Sequence, residues 1–143
     1  MVEDKFSVRK KERKMNKELL ISIAVIVAII ILDIITTNYT EHAIYILSQK
    51  IDAIREDILN ERTEKNNLKN QVNQLQEEWT NHYKKLAYYL EHDELEKVQT
   101  KITRINGYIE QEEYTDTYVE LEETSFILQH IADKEKFSLQ SIF

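Results

Sequence analysis

A continuous apolar segment at residues 19–35 places the strongest constraint on how this chain can fold. It reads LLISIAVIVAIIILDII, and only Ser22 and Asp33 in it are polar. As a helix its seventeen residues extend about 26 Å, slightly less than the roughly 30 Å hydrocarbon core of a bilayer, and the next two threonines can lengthen it. A helix that is apolar on every face is too hydrophobic for the core of a small soluble domain. The segment therefore predicts a transmembrane anchor at residues 19–37.

The charges on either side of the anchor predict its orientation. Residues 1–18 carry seven Lys/Arg and four Asp/Glu, a net +3, whereas residues 36–143 carry 12 Lys/Arg and 21 Asp/Glu, a net −9. Because basic flanks stay in the cytoplasm, we expect residues 1–18 to be cytoplasmic and residues 38–143 to form an extracytoplasmic domain at the cell membrane. A cleaved signal peptide is the alternative, but no small-x-small cleavage site follows the segment. The pattern favours an uncleaved signal anchor.

Asp33 lies near the outer end of the anchor, and two interpretations of it stay open. Its carboxylate can reach water at the membrane surface. Alternatively, it can make a polar contact with another membrane helix, because charges inside a bilayer are costly and are usually paired. The second interpretation makes Asp33 a candidate partner-binding residue.

The composition of the remaining chain restricts its fold and its partners. There is no cysteine and no proline, and Gly107 is the one glycine. The chain therefore has neither disulfides nor thiol-ligated zinc, and it lacks the turn residues that a large sheet needs at short intervals. A strongly acidic domain also argues against nucleic acid as a partner, because phosphate binding requires a basic surface.

Apolar side chains after the anchor recur every three or four positions, which is the period of a helix. The first such stripe consists of Ile44, Leu47, Ile51, Ile54 and Ile58, and the last consists of Tyr118, Leu121, Ser125, Leu128 and Ala132. The predicted helices are residues 40–59, 63–90, 93–111 and 116–133. We expect an all-α fold, with one N-terminal transmembrane helix followed by an antiparallel helical bundle of two hairpins. The apolar tail from Phe137 onward is expected to pack back on the bundle.

The polar stretch at residues 60–67 separates two architectures. It reads NERTEKNN and interrupts the stripe. It is either a turn, with Thr63 as a helix N-cap, or the solvated middle of one long helix. A turn gives the bundle, whereas an unbroken helix gives an extended coiled coil.

Two further positions mark predicted helix features. Asp93, with Glu96 three residues later, resembles a capping box at the start of the third helix. The Asn106–Gly107 pair is a hairpin-turn dipeptide, but the helical period runs through it, so we predict a continuous helix with a weak point.

A shift of the chain by 51 residues brings its two halves into partial register. Ile51, Ile54 and Ile58 then align with Ile102, Ile105 and Ile109. The same shift aligns Leu68 with Val119, Leu75 with Phe126, and Trp79 with His130. Both halves read as helix, turn and helix, which indicates either a duplication or the chance similarity of two amphipathic hairpins.

Several segments resemble a known family. They are Trp79, residues 92–98 (HDELEKV), residues 108–110 (YIE), residues 128–131 (LQHI) and the ending at residues 135–143. Together they are similar to the domain-of-unknown-function family four-three-six-three, which comprises small membrane-anchored proteins of spore-forming Gram-positive bacteria. The resemblance covers nearly the whole chain. It implies an anchor followed by a helical extracytoplasmic domain, and it implies no established activity.

An aromatic band occupies one face of the second predicted helix. It consists of Trp79, Tyr83, Leu86 and Tyr89, and His92 follows at the next helix boundary. At helical spacing such a band is either part of the core or a partner groove, since Trp and Tyr are enriched at interface hot spots. These five residues and Asp33 are the candidate partner-binding residues.

The sequence contains no pattern that predicts catalysis, a metal site or a cofactor. HExxH, GxSxG, the P-loop and the nucleotide fingerprint are all absent. His82, His92 and His130 lack the short paired spacing of zinc ligands, and the acidic run at residues 110–116 lacks the central glycine of a calcium loop. We therefore expect no enzyme activity.

The favoured function is a non-enzymatic, membrane-anchored module that binds another membrane or envelope protein, and the resemblance implies the envelope of a spore-former. Two alternatives stay open. One is a cell-division-type bitopic coiled-coil protein. The other is a helical ligand-sensing domain that acts through a membrane partner. Homo-oligomerisation is compatible with each of them.

Overall fold

A computed structural model describes residues 2–60 and 64–140 of the chain, with side chains for residues 16–60 and 64–137. Within these residues the chain forms four α-helices and no strand. The helices are α1 (Val2–Leu59), α2 (Lys65–Leu86), α3 (His92–Glu110) and α4 (Tyr114–Gln140). The chain divides into two compact units, Met1–Ile35 and Thr36–Phe143, and each is described by itself.

The first unit contains the apolar segment, which is helical as predicted. Twelve of its large aliphatic side chains between Leu19 and Ile35 are each 41–66% exposed. Exposed apolar side chains around a whole helix are unfavourable in water and favourable in lipid. This helix is long and apolar enough to cross a membrane, and it is a candidate single membrane span.

The second unit is an antiparallel bundle of two hairpins, as predicted. The chain reverses between α1 and α2, because the Gln71 amide donates to Asp57 at 2.8 Å across fourteen residues. At the other end of the same hairpin, the hydroxyls of Thr40 and Tyr89 lie 2.9 Å apart. The single long helix through residues 60–67 is therefore excluded. Thr63 and Glu61 lie outside the described residues.

Side-chain contacts join each helix to the next and close the bundle. They are Asp57–Gln71 between α1 and α2, Trp79–Gln99 between α2 and α3, Lys101–Glu120 between α3 and α4, and Glu41–Lys136 between α1 and α4. The apolar stripes meet inside this ring in one core. Burial of such stripes, rather than helix propensity, supplies most of the stability of helices in proteins.

The predicted stripes supply the core in all four helices, although in α4 only Leu121, Leu128 and Ala132 of the predicted stripe are buried. The stripe residues of α1, α2 and α3 are buried, apart from Ile58, which is half-buried. In α4 the predicted stripe included Ser125, which is half-buried, whereas Thr117, Glu120 and Thr124 are buried.

Several predicted helix ends are wrong. The third helix begins at His92 with Glu91 as its N-cap, and no side chain caps it, so Asp93 lies in the first turn instead of capping. The second helix ends at Leu86 rather than at residue 90. The third helix runs through Gly107, as predicted. The fourth helix extends beyond residue 133, and Phe137 is 76% exposed rather than packed back on the bundle.

Candidate functional site

One end of the bundle is held by a hydroxyl cluster formed by Thr36, Thr40 and Tyr89. The Thr40 hydroxyl donates to the Thr36 carbonyl at 3.0 Å, and it lies 2.9 Å from the Tyr89 hydroxyl. The Tyr89 hydroxyl also lies 3.4 Å from the Thr36 carbonyl. Burial raises the pKa of Tyr89 above its usual value, so the phenol stays protonated at neutral pH. The cluster fixes the turn after α2 to the first residues of the bundle.

A second polar chain joins α1 to α2 one turn away. The Tyr39 hydroxyl lies 2.7 Å from Nδ1 of His82, and Nε2 of His82 lies 3.1 Å from the Glu78 carboxylate. A neutral imidazole protonated at Nε2 accepts from Tyr39 and donates to Glu78, which satisfies both ring nitrogens. The Lys85 ammonium lies 5.2 Å from the centre of the Tyr39 ring, within the range of a cation–π contact.

The aromatic band predicted from the sequence lies inside the bundle. Trp79 and Leu86 belong to the core, and the Trp79 indole donates to Gln99 of α3 at 2.9 Å. Tyr83 is half-buried and packs edge-on against Trp79, with ring centres 5.8 Å apart. Tyr89 is half-buried in the hydroxyl cluster. A partner can reach Trp79 and Leu86 only if the bundle opens, so their burial favours the core interpretation over the partner groove.

The remaining two predicted residues are more accessible. His92 is exposed at the start of α3, where its Nε2 lies 3.3 Å from Glu96. Asp33 is half-buried in the first unit. The structure therefore brings Trp79, Tyr83 and His92 into one neighbourhood, since the Tyr83 and His92 rings are 6.2 Å apart.

A second apolar surface, which the sequence analysis missed, runs along α4. Val119, Phe126 and Phe137 are 47%, 75% and 76% exposed. Their separations of seven and eleven residues return to the same side of a helix. We call these three residues the α4 outer face. The 51-residue shift identified two of these positions as apolar, because it aligned Val119 with Leu68 and Phe126 with Leu75. The two leucines are fully buried, whereas Val119 and Phe126 are exposed.

A groove of about 430 Å³ between α3 and α4 lies beside the α4 outer face. A second depression of about 420 Å³ is lined by Phe126 itself, Ile127, Glu122 and Glu123. Ile127 lines both depressions, so they adjoin. The result is an apolar ridge with shallow depressions at its side.

Ion pairs connect α4 to α3 on one side of this ridge and to α1 on the other. Lys101 of α3 bonds to Glu123 and lies 2.8 Å from Glu120, and Arg55 of α1 bonds to Glu122. The hydrogen bond to Glu120, reinforced by the bond to Glu123, raises the pKa of Lys101. These ion pairs fix α4 in place, with Val119 and Phe126 exposed and Leu121 and Leu128 in the core.

In the part of the chain that the structure describes, no group of three or more His, Asp or Glu side chains is placed to hold a metal ion. The α4 outer face is an exposed apolar surface that a macromolecule can reach.

Fold and surface together define a helical bundle that follows a candidate membrane span. Residues 34–142 match the family model of the domain of unknown function DUF4363, so the chain belongs to that family. The matched range covers the whole described bundle and confirms the resemblance found in the sequence. No curated protein and no solved structure matches the chain.

Proposed function

We propose that this protein is an exported, membrane-tethered module that binds another membrane or envelope protein through the α4 outer face. The observation that carries the proposal is the alignment of Val119, Phe126 and Phe137 on one exposed side of α4. A single exposed apolar residue needs no explanation, but an aligned set on an otherwise charged surface is typical of an interaction site.

The spacing of the α4 outer face favours a helical partner. Side chains seven and eleven residues apart form a straight ridge along a helix, and such a ridge packs against a second helix laid alongside it. Phe126 in the middle of the ridge has a depression at its side that can receive a partner side chain. Phe137 lies near the C-terminal end of α4. Its neighbour Lys136 contacts Glu41, which is six residues after the apolar segment. A partner that covers the whole ridge therefore reaches residues that are close in the chain to the candidate span, which supports a membrane protein as the partner.

The charge distribution supports export of the bundle. A basic N-terminus precedes the candidate span and an acidic bundle follows it, as the positive-inside rule expects for a cytoplasmic N-terminus. The proposed setting is the cell membrane of a Gram-positive bacterium and, from the resemblance, the spore envelope. The proposal includes no reaction.

The test uses a photoreactive amino acid at position 119 of the full-length protein in native membranes. We expect one discrete adduct, with a membrane or envelope protein identified by mass spectrometry. A second substitution, Phe126→Glu, should abolish that adduct because it places a charge in the centre of the ridge. Leu59→Glu is the matched control, since Leu59 is a 66% exposed apolar residue outside the ridge, and it should leave the adduct intact. An adduct that survives Phe126→Glu, or one formed only with a second copy of this chain, would contradict the proposal.

A second candidate function, ligand sensing, has one observation in its favour. A pocket of about 550 Å³ between α1 and α4 is lined by polar side chains, among them His42, Tyr45, Ser48 and Gln129. A small polar ligand bound there would link the two helices. Binding would raise the melting temperature of the wild-type protein and not that of a Ser48→Trp variant, which fills the pocket.

A further inference from the structure

The turn between α2 and α3 presents the most exposed large hydrophobic side chain among the described residues. Tyr88 is 89% exposed. Its backbone is nevertheless held firmly, because the amides of residues 87–90 donate to carbonyls of residues 83, 85 and 86 at 2.9–3.3 Å. A tyrosine that a hydrogen-bonded turn holds in this exposed position is a candidate contact for a partner.

The position of this turn indicates what the partner is. The adjacent residue, Tyr89, lies 3.4 Å from the carbonyl of Thr36 through its hydroxyl. Thr36 directly follows Ile35, the last residue of the apolar segment. The turn is thus held beside the point at which the chain leaves the candidate membrane span. Where that span crosses a bilayer, this point of the chain meets the level of the lipid headgroups.

The chemistry at this end of the bundle suits that level. Tyrosine is enriched at membrane–water interfaces, where its ring contacts acyl chains and its hydroxyl meets water and headgroups. Lys85, three residues before Tyr88, is exposed and lies over the ring of Tyr39, which is four residues after Ile35. A lysine there can reach lipid phosphates while its aliphatic stem covers apolar surface.

We infer that Tyr88 and Lys85 form a membrane-docking surface, on which the bundle rests against the leaflet from which the anchor emerges. The occupant is the bilayer interface itself, with Tyr88 among the headgroups and Lys85 directed to lipid phosphate. Continuity with the candidate span argues for lipid rather than for a second protein. The inference rests on the proposed membrane tether, and it adds a second attachment that limits how the bundle can turn on its anchor.

The test is quenching of tryptophan fluorescence by brominated lipid, which requires close contact. The full-length protein is placed in nanodiscs of phosphatidylcholine and phosphatidylglycerol, with acyl chains brominated near the headgroup in one set and near the bilayer centre in a second set. The native Trp79 is the only tryptophan and is buried, so the parent protein gives the baseline. Three variants each add one tryptophan. They are Tyr88→Trp in the turn, Asn66→Trp at the opposite end of the bundle beside Lys65, and Ile26→Trp in the middle of the apolar segment.

We expect brominated lipid to quench the added tryptophan in Tyr88→Trp and Ile26→Trp and to leave Asn66→Trp unchanged. Quenching at Tyr88→Trp should weaken when Lys85→Ala is added or when phosphatidylglycerol is omitted. Equal, negligible quenching at positions 88 and 66, with strong quenching at 26, would overturn the docking surface and leave the tether intact. Absence of quenching at position 26 would overturn the tether and the docking surface together. Circular dichroism of each variant verifies that the helices are retained.

Discussion

Trp79 is the side chain on which the core depends most. It is fully buried, and its indole N–H is satisfied by Gln99 on the neighbouring helix, so both its apolar and its polar parts contribute to packing α2 against α3. Truncation would leave a large cavity and an unpaired amide in the bundle.

Trp79→Ala should lower the free energy of unfolding of the bundle by about 3–5 kcal/mol. This is a large fraction of the 5–15 kcal/mol that stabilises most domains. The measurement is denaturant unfolding of the full-length protein in detergent, followed by circular dichroism. Tyr88→Ala is the matched control, because it removes an exposed aromatic side chain and should change stability by no more than about 0.5 kcal/mol. Equal effects of the two changes would place Trp79 outside the core.

Gly107 has no conformational requirement that explains it. It lies within α3, its φ is not positive, and an added Cβ would meet no atom within 4 Å. Gly107→Ala should therefore stabilise the protein by about 0.5–1 kcal/mol, because alanine loses less backbone entropy in a helix. A thermal scan should show a rise of a few degrees in the melting temperature. A lower melting temperature would mean that a partner or a close contact needs the glycine.

At the scale of the helices, the sequence pattern predicted the number of helices, their antiparallel order and the core of α1, α2 and α3, because apolar residues mark those faces. In α4 it identified Leu121, Leu128 and Ala132 but missed the buried threonines, for a physical reason. The buried Thr117 and Thr124 each donate to the carbonyl four residues earlier, at 2.9 and 2.6 Å, so they enter the core without a partner on another helix. Hydropathy counts such threonines as polar, and it also cannot tell which of two apolar faces of α4 is buried.

The sequence pattern also could not predict the turn after α2 or the exposed surface of the candidate site. The segment from Ala87 to Leu90 contains no Gly, Pro or Asn, and its turn is imposed by the bonds of Tyr89 to α1. The aromatic band was recognised, but whether such a band packs inward or outward depends on the tertiary arrangement. Trp79 and Leu86 lie in the core, and Tyr83 and Tyr89 are half-buried against it, whereas Phe126 and Tyr88 are exposed.

Ion pairs between helices should give the bundle a defined pH range of stability. Hydrogen bonds from Lys69 and Lys134, with the charges of those lysines, lower the pKa of Glu110 and Glu91. Carboxylates with a lowered pKa contribute stability above their ordinary value of 4.5, and this contribution is lost as the pH falls through the folded-state pKa. The raised pKa of Lys134 acts in the opposite sense, so its contribution is full below 10.5 and is lost at higher pH.

The melting temperature should therefore be level near neutral pH and fall below about pH 4.5. Because these pairs are exposed, salt should reduce their contribution. Glu110→Gln should lower the melting temperature slightly at pH 7 and make the acid limb shallower. Glu77→Gln, which changes an exposed glutamate on the same helix as Lys69, is the control. Identical acid limbs for the two variants would show that the Lys69–Glu110 pair does not contribute.

At the scale of the whole molecule, each part of the chain has a separate role. The apolar segment is a candidate span, the bundle is a closed four-helix core, and the family match covers the bundle. In the proposed arrangement, one end of the bundle contacts the bilayer through Tyr88, and the α4 outer face is free to meet a protein partner. Both surfaces require that the bundle and the basic N-terminus lie on opposite sides of the membrane.

Cysteine accessibility tests that requirement most directly, because the chain has no cysteine of its own. Thr115→Cys places a single thiol at an exposed position in the first turn of α4, and Ser7→Cys places one in the basic N-terminal segment. A membrane-impermeant maleimide added to intact cells should label Thr115→Cys at once and should label Ser7→Cys only after the cells are permeabilised. The reverse pattern, or equal labelling of both thiols in intact cells, would contradict a membrane-tethered bundle outside the cell.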